Sequence, residues 1–296
     1  MQIELLAGTI GVRIVPPSAV PRILVLDSGI GGLTVLSEVM RIRPDARYIY
    51  AADDAAFPYG DWGEEPLIRR VGDVVETLIR AHAPDLVVVA CNTISTLVLP
   101  SLRARFDIPF VGTVPAIKPA AAQSRTGRIA VLATPGTVRR DYTRGLVEAY
   151  AGECRVDLVG STRLAAMAEA ELSGDPTPDE AIQAEIAPCF VDADGRRTDV
   201  VVLACTHYPL LLSRLRRLAP WPVVWIDPAP AIGRRVTAIL GEADQTARSS
   251  GPDPSALAVF TGSGNLTGAL RSALAAHGLT DAVTDACPIS RQARPS

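Results

Sequence analysis

Residues Asp199 to Pro209 read DVVVLACTHYP, and a close copy, DLVVVACNTIS, occupies Asp85 to Ser95. In each, an aspartate opens an apolar run, Ala-Cys closes it, and small polar residues follow. An unbroken β-branched run of this kind reads as a strand buried on both faces, the habit of parallel sheets covered by helices. A second echo pairs RILVLDSG (Arg22 to Gly29) with RIAVLATP (Arg128 to Pro135) in the same order. Recurrence in one order indicates two similar α/β halves arising by duplication.

The rest of the chain fits that reading. Further strands are expected at Arg47–Ala51, Phe110–Thr113, Val156–Val159, Val223–Ile226 and Ala258–Thr261, separated by helix-period segments such as Leu67, Val71, Val74, Val75 and Leu78. The fold class is α/β, with two similar parallel-sheet domains related by pseudo-symmetry and a cleft between them. The expected division is an amino-terminal extension (1–21), a first domain (22–116), a second domain (117–226), a carboxyl-terminal segment returning to the first domain (227–287), and a tail (288–296).

Composition removes several function classes. The chain has 296 residues, 48% hydrophobic and 21% charged, with a formal net charge of -3 spread along its length. That is not the one-sided basic footprint of a nucleic-acid binder. No apolar run approaches the ~18 residues of a membrane span. The first 21 residues lack a basic start, and Arg13 and Pro16-Pro17 break any apolar core, so they read as an added tail rather than a secretory signal. Five cysteines (Cys91, Cys154, Cys189, Cys205, Cys287) without a C-x-x-C suit a reducing cytoplasm, not a disulfide framework or a zinc site. Lys118 is the single lysine, so a pyridoxal phosphate Schiff base would have one anchor available.

In open parallel sheets, ligands sit at the carboxyl ends of the strands. All four echoed motifs end there. DSGIGGLT (Asp27 to Thr34) departs from the dinucleotide fingerprint, because Thr34 stands where a third glycine is needed and Asp27 would repel a pyrophosphate. It reads as a tight strand–helix turn carrying Asp27 and Ser28, with helix capping as the plainer alternative. A cysteine closing a buried strand is ordinarily a small core residue. Here, however, Asn92-Thr93 and Thr206-His207 follow where a helix is expected to begin. A helix amino terminus lowers a thiol pKa and offers N–H groups to an anion. His207, two residues after Cys205, fits an acid–base partner better than a metal ligand. His82 and His277 fall late in helical segments. DDAAFPYG (Asp53 to Gly60) reads as a loop ending in a turn, and Thr134 and Thr137 in ATPGT are hydroxyl donors for a carboxylate. A Cys–His protease needs one nucleophile and leaves the second cysteine unexplained. Two matched thiols suit proton removal from one face of a carbon and delivery to the other, which is racemisation.

LVLDSGIGGLTVL, PYG, ACNT, GTVPAIKPA, ATPGTV and ACTHYPLL resemble, in order, the signature blocks of glutamate racemase, across roughly Arg22 to Arg235 and more weakly to about Gly278. The resemblance implies cofactor-independent interconversion of L- and D-glutamate, supplying D-glutamate to peptidoglycan. It implies Cys91 and Cys205 as the two bases, Asp27 assisting Cys91, His207 assisting Cys205, and Glu169 as a further glutamate of the site. Ser28, Tyr59, Gly60, Asn92, Thr93 and Thr206 match positions that hold the substrate. Glutamate is the expected partner, with a homodimer as the assembly and no metal, nucleic acid or membrane. Ala204 stands where the family usually has glycine. A racemase for aspartate or another amino acid, or an inactive binding homologue, would share the cysteine motifs.

Overall fold

The unbroken apolar runs do form strands, and they assemble into two parallel sheets. The computed structural model describes residues 20–243, 256–262 and 266–284. Cys287, the tail and all but the last two residues of the expected extension lie outside them. The first half alternates β1 (Arg22–Asp27), α1 (Leu33–Ile42), β2 (Arg47–Ala52), α2 (Glu64–His82), β3 (Leu86–Val89), α3 (Asn92–Arg105) and β4 (Phe110–Gly112). The chain then crosses into α4 (Ile117–Gln123), β5 (Arg128–Ala133), α5 (Pro135–Arg139), α6 (Asp141–Tyr150), β6 (Arg155–Gly160), α7 (Leu164–Leu172) and α8 (Asp179–Ile186). A small hairpin, β7 (Asp192–Ala193) and β8 (Arg196–Arg197), precedes β9 (Val200–Ala204), α9 (Leu212–Leu218) and β10 (Val224–Ile226). After α10 (Ala229–Leu240), β11 (Ala256–Phe260), α11 (Gly268–Ala276) and β12 (Asp281–Val283) complete the described chain.

Strand order makes the internal repeat concrete. The first sheet runs β12-β11-β2-β1-β3-β4 and the second β10-β9-β5-β6. Reading the second backwards gives β6-β5-β9-β10, matching β2-β1-β3-β4 position for position. The echoed strands are therefore neighbours in both halves: Ile23 pairs with Leu86, and Ile129 with Val200. The carboxyl-terminal β11 adds to the first sheet beside β2, with Ala256 opposite Tyr48.

The inner strands β1, β3, β5 and β9 are buried on both faces, their side chains alternating between the two covering layers. Ile23 and Val25 pack among Leu33, Leu36, Ile232 and Val236, while Leu24 and Leu26 pack among Val71, Val75, Val98 and Leu102. The second sheet repeats the scheme, with Leu132 and Leu203 against Leu164, Ile182 and Leu215, and Val131 and Val202 against Ile117. The aspartate that opens each echo ties the amino-terminal edge. Asp85 Oδ2 accepts from Arg22 N–H at 2.8 Å, and Asp199 accepts from Ser124 Oγ at 2.7 Å and Arg125 N–H at 2.6 Å. The repeat thus has a structural end and, at the cysteines, a chemical end.

No described helix is long and apolar enough to cross a membrane. The return of the chain to the first half is fastened by a buried charge pair. Arg43 binds Asp45 through Nε at 2.9 Å and Nη2 at 2.6 Å, and its Nη1 donates to Gly241 O just beyond α10 at 2.8 Å. Removing one partner of a buried pair strands the other charge away from water. Asp45→Ala is expected to lower the unfolding free energy by about 3–5 kcal/mol. Urea denaturation checks this; a loss below about 1 kcal/mol, the worth of a surface pair, would contradict it.

Candidate active site

Parallel pairing decides which side chains meet. β1 and β3 are adjacent and run the same way, so Asp27, at the end of one, lies beside Cys91, just past the end of the other. β5 and β9 do the same for Thr134 and Cys205. Both cysteines are 6% exposed. Cys91 caps α3, as its sequence setting predicts. Cys205 departs from that expectation: a turn and a short 3-10 helix (Tyr208–Leu211) follow it, with Pro209 near the start, before α9 begins. A proline there withholds one backbone donor, so the two thiols do not share a common helix-terminus environment.

Each thiol has a different neighbour. Ser28 Oγ is 3.9 Å from Cys91 Sγ, and His207 Nδ1 is 3.7 Å from Cys205 Sγ. His207 Nε2 is 2.8 Å from Glu169 Oε1, and the same oxygen accepts Ile30 N–H at 2.9 Å. Glu169 comes from α7 of the second half and Ile30 from the glycine turn of the first, so this carboxylate joins the halves inside the site. Thr206 strengthens the joint, its Oγ1 donating to Asp27 Oδ1 at 3.4 Å and its carbonyl accepting from Thr34 Oγ1 at 3.3 Å. The glycines of the turn answer to this docking. A Cβ on Gly29 would collide with the Glu169 carboxylate, and one on Gly31 with the His207 imidazole.

Burial and charge set the protonation states. Burial pushes the Cys91 thiol well up, and the Asp27 and Cys205 charges push it further; the N–H of Ile94 and the Ser28 hydroxyl oppose this more weakly. The expectation that a helix amino terminus would lower this thiol pKa is therefore corrected, because desolvation outweighs the terminus. Burial also raises the Asp27 carboxyl, against the pull of His207 and of the Gly32 and Ser28 N–H groups. His207 moves the other way for an acid–base group in a core. Burial lowers it, but hydrogen bonds to Cys205 and Glu169 and the charges of Cys205 and Asp27 together raise it well above an ordinary imidazole. The ring thus lies between the Cys205 sulfur and the Glu169 carboxyl group, both of which favour its charged form.

The remaining residues singled out from the sequence close around this core. Thr93 Oγ1 meets Thr134 Oγ1 at 3.0 Å, which in turn meets Thr137 Oγ1 at 3.1 Å. Asn92 Oδ1 accepts from Thr113, while its buried Nδ2 has no partner among the described residues. A Cβ on Gly136 would stand 3.4 Å from Thr93 and 4.0 Å from the Gly60 Cα, so the Tyr59–Gly60 turn reaches the threonines. Tyr59 itself is buried, and its hydroxyl donates to Asp53 at 2.8 Å. Sequence reasoning missed Tyr50, whose hydroxyl donates to Gly29 O at 2.6 Å and supports the glycine turn from a neighbouring strand. Nothing in its apolar strand setting signals that role. His82 and His277 lie at helix ends away from this cluster; His277 Nδ1 contacts Ser37 Oγ at 2.6 Å. Cys189 is buried in the core on one face of the second sheet, and Cys154, partly buried, packs against the core on the other. Lys118 sits over the Tyr150 ring, 5.7 Å from its centre.

Known proteins resemble this chain in sequence and fold. The family model described as Asp/Glu/Hydantoin racemase matches residues 35–236. A glutamate racemase of Agrobacterium fabrum is 53% identical over 259 residues, covering 87% of this chain and 93% of that protein. One of Brucella canis is 56% identical over 227 residues, covering 76% and 82%. The crystal structure of Escherichia coli glutamate racemase, in complex with L-glutamate and the activator UDP-MurNAc-ala, superposes with a TM-score of 0.81 at 37% identity, covering 90% of this chain and 98% of that one. With a matching family model over most of its length and relatives this similar, the chain belongs to the Asp/Glu/Hydantoin racemase family and is an amino-acid racemase, an isomerase.

Proposed function

We propose that this protein interconverts L- and D-glutamate in the cytoplasm by a two-base mechanism, supplying D-glutamate for peptidoglycan. The observation that carries the chemistry is the pair of buried cysteines ending equivalent strands of two equivalent sheets, each with its own helper. Glutamate as the substrate, and peptidoglycan as its destination, rest on the likeness to glutamate racemases.

The two enantiomers have equal free energy, so the site must serve both directions equally well. One cysteine, as thiolate, takes the α-proton; the C–H electrons remain on Cα and spread into the α-carboxylate. The other, as thiol, delivers its proton to the opposite face and is left as thiolate. Burial that raises the Cys91 pKa favours its thiol form, the one that donates a proton. Across from it, the His207 imidazolium faces the Cys205 sulfur and stabilises negative charge there. Asp27, itself raised by burial, is suited to exchange a proton with its neighbour Cys91.

The difficult step creates charge beside a carboxylate. Asn92 Nδ2, a buried donor without a partner, the first N–H groups of α3, and the Thr93, Thr134 and Thr137 hydroxyls are donors prepared for it. Preorganised donors of this kind are worth about 10²–10³ in rate each.

Cys91→Ala and Cys205→Ala are each expected to lower racemisation of glutamate by about 10²–10⁴-fold or more. Polarimetry or circular dichroism of the amino acid follows the reaction, and near-normal turnover by either variant would contradict the assignment. Glu169→Gln removes a carboxylate that raises the His207 pKa, so that pKa must fall. An NMR titration of the His207 ring should find a lower midpoint in the variant; an unchanged or higher one would overturn the proposed electrostatic link.

A further inference from the structure

The row of strand ends that carries Asp27 and Cys91 extends past them to a second buried carboxylate. Asp53 directly follows β2, and its N–H donates to Asp27 O at 2.9 Å. Thr261 directly follows β11, and its N–H donates to Ala52 O at 3.1 Å. Thr261, Asp53, Asp27 and Cys91 therefore stand in sequence along one sheet edge.

Donors surround the Asp53 carboxylate, which is fully buried. Oδ2 accepts from Tyr59 Oη at 2.8 Å and Arg70 Nε at 3.0 Å; Oδ1 accepts from Arg70 Nη2 at 2.6 Å and Thr261 Oγ1 at 2.6 Å. Thr261 Oγ1 also accepts Ala55 N–H at 3.3 Å, and Asp54 Oδ1 accepts Gly262 N–H at 2.7 Å. Trp62 closes the same loop, its indole N–H donating to Ala56 O at 2.9 Å. The loop from Asp53 to Trp62 is thus fixed at its base, its middle and its end. The Tyr59–Gly60 turn lies inside it, against Gly136 and the threonines of the site.

A buried ion pair gains little stability over an apolar replacement, and its best-attested use is to fix one arrangement among several. Here the arrangement fixed is that of a turn facing the reacting centre. We propose that Asp53 is a positioning residue for the Tyr59–Gly60 turn. It acts through the Tyr59 hydroxyl, and Thr261 draws the carboxyl-terminal segment into support of the site. The phenol is committed to Asp53, so Tyr59 serves the substrate through its backbone. This rests on the reading that glutamate binds between the turn and the threonines.

Positioning a binding turn affects substrate and transition state alike, so the loss falls on KM rather than kcat. Steady-state kinetics of Tyr59→Phe and Thr261→Val with L-glutamate should give a KM about tenfold higher, the worth of one hydrogen bond to a charged acceptor, with kcat within about twofold. Thr261→Ser, which keeps the hydroxyl, should return KM to the wild-type value. Combining Tyr59→Phe with Asp53→Asn should raise KM by less than the product of the single effects, because the two act along one path. The loop can be followed without substrate by 19F NMR of protein labelled with 5-fluorotryptophan, the Trp62 signal being assigned from Trp62→Phe. That signal should shift in Thr261→Val and hold in Thr261→Ser.

An unchanged KM, a fall in kcat at constant KM, a Thr261→Ser variant no better than Thr261→Val, or a Trp62 signal indifferent to Thr261→Val would each overturn the proposal. If the wild-type protein does not turn over glutamate, the substrate reading fails. The Trp62 signal then decides the positioning role by itself.

Discussion

One oxygen of Glu169 contacts both His207 Nε2 and the Ile30 N–H, and the candidate site depends on that sharing. Neither half of the chain is chemically complete. The first sheet brings Asp27, Ser28 and Cys91 to its carboxyl edge; the second brings Cys205 and His207 to its own. Glu169 reaches from the second half into the glycine turn of the first, and the absence of a Cβ at Gly29 and Gly31 leaves room for it and for His207. The same contact that docks the halves also raises the His207 pKa. Assembly and electrostatics are coupled through a single carboxylate.

The symmetry of the backbone makes the asymmetry of the charges informative. Equivalent strands present equivalent cysteines, yet Cys91 stands beside a buried carboxyl and Cys205 beside a buried imidazole whose charged form its neighbours favour. The proposed two-base mechanism needs one thiol protonated and one ionised at any moment, with the roles reversible. Unlike neighbours suit such a division of roles, since Ser28 and Asp27 lie beside one sulfur and His207 beside the other.

The sheets and the cysteines were legible because buried parallel strands write themselves as unbroken apolar runs, and because those runs recur. Their pairing also explains the aspartate that opens each repeat: Asp85 and Asp199 fasten the adjoining strands, which no motif reveals. The hairpin at Asp192–Arg197 and β12 escaped notice because two- and three-residue strands carry no periodicity. Cys205 misled by analogy with Cys91, since the 3-10 helix after it is set by local turn geometry around Pro209. Tyr50 and Asp53 were missed for another reason. Their partners lie on other elements, Gly29 past the end of β1 for Tyr50 and Thr261, 208 positions away, for Asp53, and only the fold brings them together.

The central claim is that two different groups handle the α-proton on opposite faces. Incubating the protein with L-glutamate in deuterated water, and measuring deuterium at Cα by mass spectrometry at early times, tests it directly. Two bases predict that newly formed D-glutamate carries deuterium while the remaining L-glutamate still carries protium. Deuterium entering recovered L-glutamate as fast as D-glutamate appears would mean that one group serves both faces, and would contradict the account.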